Sequence, residues 1–164
     1  MSSAIDLQYN EDSFAGPFDR AELDAFEKWL IKCQSKRLRF DPAYIRHIAK
    51  CHGGVPRKRY FSTVAGTEHV IERFLNFLPH DSQSRMAMFS VEGTWGRIED
   101  RLGKYLIPIA ELFGGDKLCF NCGGKGRPTI VVWFHDQSEP GRPHIEHVAK
   151  DFDVFLSMLS AAHT

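Results

Sequence analysis

The chain has 164 residues, 43% hydrophobic and 26% charged, which fits one compact domain that buries roughly 70% of its unfolded surface without disulfide staples. This composition excludes a disordered chain, a collagen-like repeat and a coiled coil. Lys plus Arg number 21, as do Asp plus Glu, so the basic excess of a protein that wraps nucleic acid by bulk charge is missing. The charges are nevertheless laid out in blocks. Residues 1–27 hold one Arg against seven acids, and residues 28–59 hold ten basic side chains against the single acid Asp41. Neighbouring helices that pair across their solvent faces would give this pattern, and so would a charged interaction surface. The 13 Phe predict an aromatic-rich core. No stretch approaches the roughly 18 apolar residues of a membrane span. Residues 1–12 lack the basic start and apolar run of a secretory signal, so a cytoplasmic protein is expected. Cys33, Cys51, Cys119 and Cys122 are then free thiols or metal ligands.

In chain order, residues 1–18 read as a polar segment and 19–164 as one folded domain. Asp19 and Glu22 form a capping-box pair, with Phe18 and Leu23 at the staple positions. Leu23, Phe26, Leu30 and Cys33 recur at helical spacing behind that cap. Asp41-Pro42 opens a second helix, because Asp caps well and Pro lacks only an N–H that would be unpaired there. Tyr44, Ile45, Ile48 and Ala49 supply its apolar face, and Gly53-Gly54 closes it. Residues 59–64 and 73–78 read as strands. Pro79-His80-Asp81 breaks the run, and 82–102 reads as a third helix with Met86, Phe89, Trp95, Ile98 and Leu102 inward. Strands are then predicted at 106–109, 117–121, 129–134 and 144–148. Residues 123–128 form a hairpin loop, and the apolar run 130–134 is placed in the sheet centre. A final helix from Asp151 carries Phe152, Phe155, Leu156 and Leu159 on one face. Helices first, then a meander of strands, then a closing helix predict an α+β fold with helices packed on a mostly antiparallel sheet.

Few motifs suggest chemistry. Cys119-Phe120-Asn121-Cys122-Gly123 has the spacing of one zinc-ribbon knuckle, but a structural zinc site needs two further ligands. Those would come from Cys33, Cys51 or a histidine; otherwise Cys119 is simply a buried strand residue. His135, His144 and His147 read as polar strand-edge residues. Glu99-Asp100 falls on a solvated helix face. Gly123-Gly124-Lys125-Gly126 lacks the remaining residues of a phosphate loop and links two strands instead of opening a helix. Arg57-Lys58-Arg59-Tyr60-Phe61 interleaves cations and rings as nucleic-acid surfaces do, and as a strand entering a core from the surface also does.

The order of features resembles the SUKH superfamily, which includes bacterial toxin-immunity proteins and a fungal cell-wall-assembly regulator. The resemblance is carried by Leu23-Asp24-Ala25-Phe26-Glu27 and by Phe40-Asp41-Pro42-Ala43-Tyr44 followed by His52-Gly53-Gly54-Val55-Pro56. It continues through Leu106-Ile107-Pro108-Ile109-Ala110, Gly115-Asp116-Lys117-Leu118-Cys119-Phe120 and Ile130-Val131-Val132-Trp133-Phe134-His135-Asp136. It ends in Val148-Ala149 and Phe152-Asp153-Val154-Phe155-Leu156. It implies a SUKH-like binding scaffold with no catalytic residues, cofactor or metal, acting as a monomer or homodimer. The implied function is immunity by capture of a cognate toxin, such as a nuclease or deaminase, without membrane or direct nucleic-acid binding. The resemblance assigns no contact residues. The acids Asp6, Glu11, Asp12, Asp19, Glu22 and Asp24 are one candidate patch for a basic toxin. A general regulatory interaction module of the same fold, and a small zinc protein using Cys119 and Cys122, are the alternatives.

Overall fold

The computed structural model describes residues 6–162. A two-residue strand β1 (Tyr9–Asn10) and a 3-10 turn (Glu11–Ser13) precede helices α1 (Arg20–Cys33) and α2 (Pro42–Lys50). Strands β2 (Val55–Pro56), β3 (Tyr60–Ser62) and β4 (Glu68–Phe74) follow, then a second 3-10 turn (Arg85–Phe89) and α3 (Val91–Leu102). Strands β5 (Leu106–Leu112), β6 (Lys117–Asn121), β7 (Thr129–Trp133) and β8 (Ile145–Ala149) lead to the closing helix α4 (Phe152–Met158). β3 to β8 form one six-stranded sheet in chain order, every neighbour antiparallel, and β1 pairs with β2. This is the expected α+β architecture.

The helix starts follow the caps. The Asp19, Asp41 and Asp151 carboxylates accept the amides of Ala21, Ala43 and Val154 at 3.0, 3.0 and 2.9 Å. Phe18 packs on the rings of His52 and Phe77. Cys33 and Ala49, expected inward, are exposed, because each lies in the last turn where the helix clears the core. Gly53 takes φ +66°, the left-handed geometry that favours glycine. Gly54 serves close approach instead: a Cβ there would lie 2.7 Å from the Phe14 ring and 2.8 Å from Tyr9.

The third helix and the second strand both differ from expectation. Thr63 N–H donates to Thr67 O at 2.9 Å, with Gly66 at φ +96° between them. The resulting tight turn starts β4 at Glu68, the strand ends at Phe74, and residues 75–78 lie outside it. Buried Asn76 turns the chain across to the second 3-10 segment. Its amide donates to Phe89 O, its carbonyl accepts from Val91 N, and its side chain donates to Met86 O. Residues 82–102 are thereby split. Ser90 caps α3 afresh through Gly93 N at 3.0 Å, and Met86 and Phe89 are only half-buried.

The sheet has both faces covered. Phe120 meets the rings of Tyr44 on α2 and Phe152 on α4, and Phe61 meets Phe155. On the other face Trp133 donates its indole N–H to Arg101 O near the end of α3 at 3.0 Å. Residues 130–134 are buried on both faces as expected, yet β7 lies second from the edge, with β5 and β6 in the middle. The sheet curls until the β3–β4 turn meets β8. Val64 N–H donates to His147 O at 2.9 Å, and Ser160, beyond α4, pairs with Tyr60.

Candidate partner-binding surface

The residues that the sequence singled out for chemistry are spent on the scaffold or dispersed. Cys119 is buried in β6, and burial pushes its thiol pKa well up. Cys122 is buried beyond the strand end. Its thiol faces Arg39 O at 3.4 Å, and burial raises its pKa too. A thiolate is the nucleophile, so both shifts oppose a nucleophilic role. Among the described residues no three His, Cys, Asp or Glu side chains form a metal-holding group. The His135 ring sits 2.7 Å from Gly114 O and 3.1 Å from the Asp136 carboxylate. His144 packs on the Phe134 ring, and His147 is exposed. Glu99 and Asp100 are exposed on α3. Arg57 to Phe61 passes from an exposed Arg57 to a buried Phe61, as a strand entering the core does, and the Arg59 guanidinium lies over the Phe113 ring at 5.5 Å. Arg57, Arg59, Tyr60 and Asn10 line a shallow cleft of about 310 Å³.

The acidic candidate patch is largely occupied. Asp6 accepts Gln8 N–H, Asp19 caps α1, and Asp24 pairs with Arg20 at 2.9 Å. Glu22 is half-buried, and Glu11 and Asp12 are exposed on the first 3-10 turn.

One polar cluster had no sequence signal, because its members lie far apart in the chain. The Glu146 carboxylate on β8 accepts the hydroxyls of Thr67 at 2.6 Å and Thr63 at 2.7 Å, and His69 Nε2 lies 3.0 Å from Thr67. The Thr67 and Thr63 hydrogen bonds hold the Glu146 pKa below the usual carboxylate value. This cluster joins the β3–β4 turn to β8.

The basic block folds into a surface around the β6–β7 hairpin. At the end of α1 the amides of Gln34 and Ser35 both donate to Leu30 O, which turns the chain. The Gln34 side chain donates to Gly103 O at 3.3 Å. Arg37 then reaches the hairpin and donates to Gly123 O, with its guanidinium 5.8 Å from the Tyr105 ring centre. Arg39 donates to Gly126 O and to Arg37 O. These bonds bring the segments that carry the exposed Lys36, Lys104 and Lys125 next to Arg37, Arg39 and an exposed Tyr105. The carbonyls of Gly123 and Gly126 are taken by guanidinium groups, and the Gly123 N–H donates to the Asn121 side chain at 3.0 Å.

Next to this surface Arg127 binds three carboxylates. It reaches Asp41 at 2.8 Å, Asp153 at 3.0 Å and Asp151 at 3.2 Å. Asp41 and Asp151 are also the caps of α2 and α4, so one cation ties both helix starts to the hairpin base. Asp41 is almost fully buried. Asp41→Ala removes a cap and one charge-assisted contact, and is expected to cost about 2 kcal/mol by thermal melting. The half-exposed state of Arg127 discounts the ion-pair share. Asp41→Asn, which keeps a capping oxygen, is expected to lose less.

The family model described as SMI1-KNR4 cell-wall matches residues 34–156. No curated protein and no solved structure matches the chain. The match runs from the end of α1 into α4 and takes in both glycines after α2, the whole six-stranded sheet and the hairpin with its basic rim. The chain therefore belongs to the SUKH superfamily, in the family described as SMI1-KNR4 cell-wall.

Proposed function

We propose that the chain is a non-catalytic immunity protein, acting in the cytoplasm, that neutralises a cognate toxin by binding it. The observation that carries this reading is the family match over residues 34–156. The roles of the matched residues support it: Gly53 and Gly54 shape the end of α2, Trp133 fills the sheet face under α3, and Phe152 and Phe155 dock α4. A rigid frame of this kind keeps a surface preorganised, which lowers the ordering cost of tight association. A few Arg and Tyr anchors then supply most of the binding free energy.

The test is co-purification with the product of the neighbouring gene. A complex with Kd on the order of nanomolar or tighter, and loss of the partner's toxicity on co-expression, are expected. A purified pair that stays apart contradicts the reading. The family's cell-wall description favours a second reading, a regulatory interaction module of the same fold. A neighbourhood without a toxin gene, together with several weaker partners, selects it.

A further inference from the structure

We propose that the basic rim of the β6–β7 hairpin is the docking face for an acidic surface of a partner protein. Lys36, Arg37, Arg39, Lys104 and Lys125 arrive from three segments distant in sequence, and contacts to hairpin carbonyls hold the two arginines in place. The acids nearby offset these cations only in part. The Glu27 carboxylate accepts Phe40 N–H at 2.7 Å, and Asp41, Asp151 and Asp153 are bound to Arg127. The five rim cations outnumber the negative charge left on Glu27 and on the Arg127 cluster, so the rim keeps a positive excess although the whole chain is neutral. A field of one sign speeds encounter with a surface of the opposite sign.

The chemistry favours an acidic polypeptide over nucleic acid. Single strands need open ring faces on which bases stack. Tyr105 is the exposed ring here, and Arg37 already lies over it. Ordered arginines beside a tyrosine are instead the usual composition of protein–protein anchors. The other basic segment, Arg57 to Arg59, comes from one stretch of chain. The inference deepens the immunity reading and rests on it only for the partner's identity.

The test compares wild type with the triple variant Lys36→Glu, Lys104→Glu, Lys125→Glu. A control triple, Lys50→Glu, Arg57→Glu, Arg142→Glu, carries the same charge change at exposed positions outside the rim. Circular dichroism and melting establish that both fold. Poly-L-glutamate is the first probe, followed by amide chemical shifts. Perturbations centred on residues 36–39, 104–105 and 123–126 are expected, with loss in the rim variant only. Perturbations centred on residues 57–59, or equal loss in both variants, overturn the inference. The neighbouring gene product is the second probe. In about 0.05 M salt the rim variant is expected to associate about tenfold or more slowly than the control, with the difference vanishing near 0.5 M. A partner that binds wild type and both variants at equal rates overturns the inference and leaves the immunity reading intact. A partner that never binds wild type removes the immunity reading, and the poly-L-glutamate map still decides the surface. Single-stranded RNA bound through the rim more tightly than poly-L-glutamate also overturns the proposal.

Discussion

Trp133→Ala is expected to remove about 3–5 kcal/mol of folding stability, a large share of the roughly 5–15 kcal/mol that a domain commonly holds. The ring is fully buried and fills the sheet face beneath α3. It is also bonded: its N–H donates to Arg101 O, and the Arg101 guanidinium lies 5.1 Å from the ring centre. Truncation opens a void between sheet and helix and removes the donor from Arg101 O. Chemical denaturation and a melting temperature lowered by about 10 °C would show it. Trp133→Phe separates the two causes. It keeps most of the volume and loses the hydrogen bond, so about 1–2 kcal/mol is expected. A near-neutral Trp133→Ala would mean that α3 does not depend on this face for its docking.

Acidification is expected to loosen the N-terminal strand from α2. His47 is packed among Tyr9, Phe74 and Phe152. Burial, with a smaller push from Lys50, lowers its pKa from 6.5 to about 4. Burial also pushes the Tyr9 phenol pKa well up, so Tyr9 keeps its proton and donates it to His47 Nε2 across 2.6 Å. That bond needs a neutral imidazole with its proton on Nδ1. Between pH 6.5 and 4 the unfolded chain binds the proton and the folded chain does not, so stability falls as pH falls through this window. At pH 4 the loss from this residue is about 3 kcal/mol. His52 and His69 are shifted in the same direction, chiefly by burial, and add to the effect. Denaturation curves at pH 7, 5.5 and 4 measure it. His47→Gln offers Tyr9 an acceptor that does not titrate in this range and is expected to flatten the pH dependence. A wild type equally stable across the window would contradict the packing of Tyr9 on His47.

The fold was legible wherever local chemistry and tertiary packing agree. Asp19, Asp41 and Asp151 mark helix starts because each carboxylate caps its own helix within three residues. β6, β7 and α4 were legible because their apolar runs are bounded by turn residues. Two local signals misled. Pro79-His80-Asp81 looked like the end of a strand, whereas the Thr63–Thr67 turn had already set the β3–β4 register several residues earlier. The period of 82–102 continues through Ser90, and only the distant Asn76 breaks it by taking the Phe89 carbonyl.

The candidate surface was half-legible. The basic block at 28–59 was visible as composition. That Lys36, Arg37 and Arg39 would join Lys104 and Lys125 depends on Arg37 meeting Gly123 and Arg39 meeting Gly126. No local spacing encodes those meetings. The same holds for Thr63, Thr67 and Glu146, which the curl of the sheet brings together.

Titrating the activity of the proposed toxin partner with purified chain tests the central claim most directly. Capture predicts a linear fall that reaches zero at a fixed stoichiometric ratio, with activity returning when the complex is dissociated. Complete loss at a small fraction of an equivalent would reveal turnover by the chain, and an undiminished activity at large excess would show that no capture occurs; either contradicts the account.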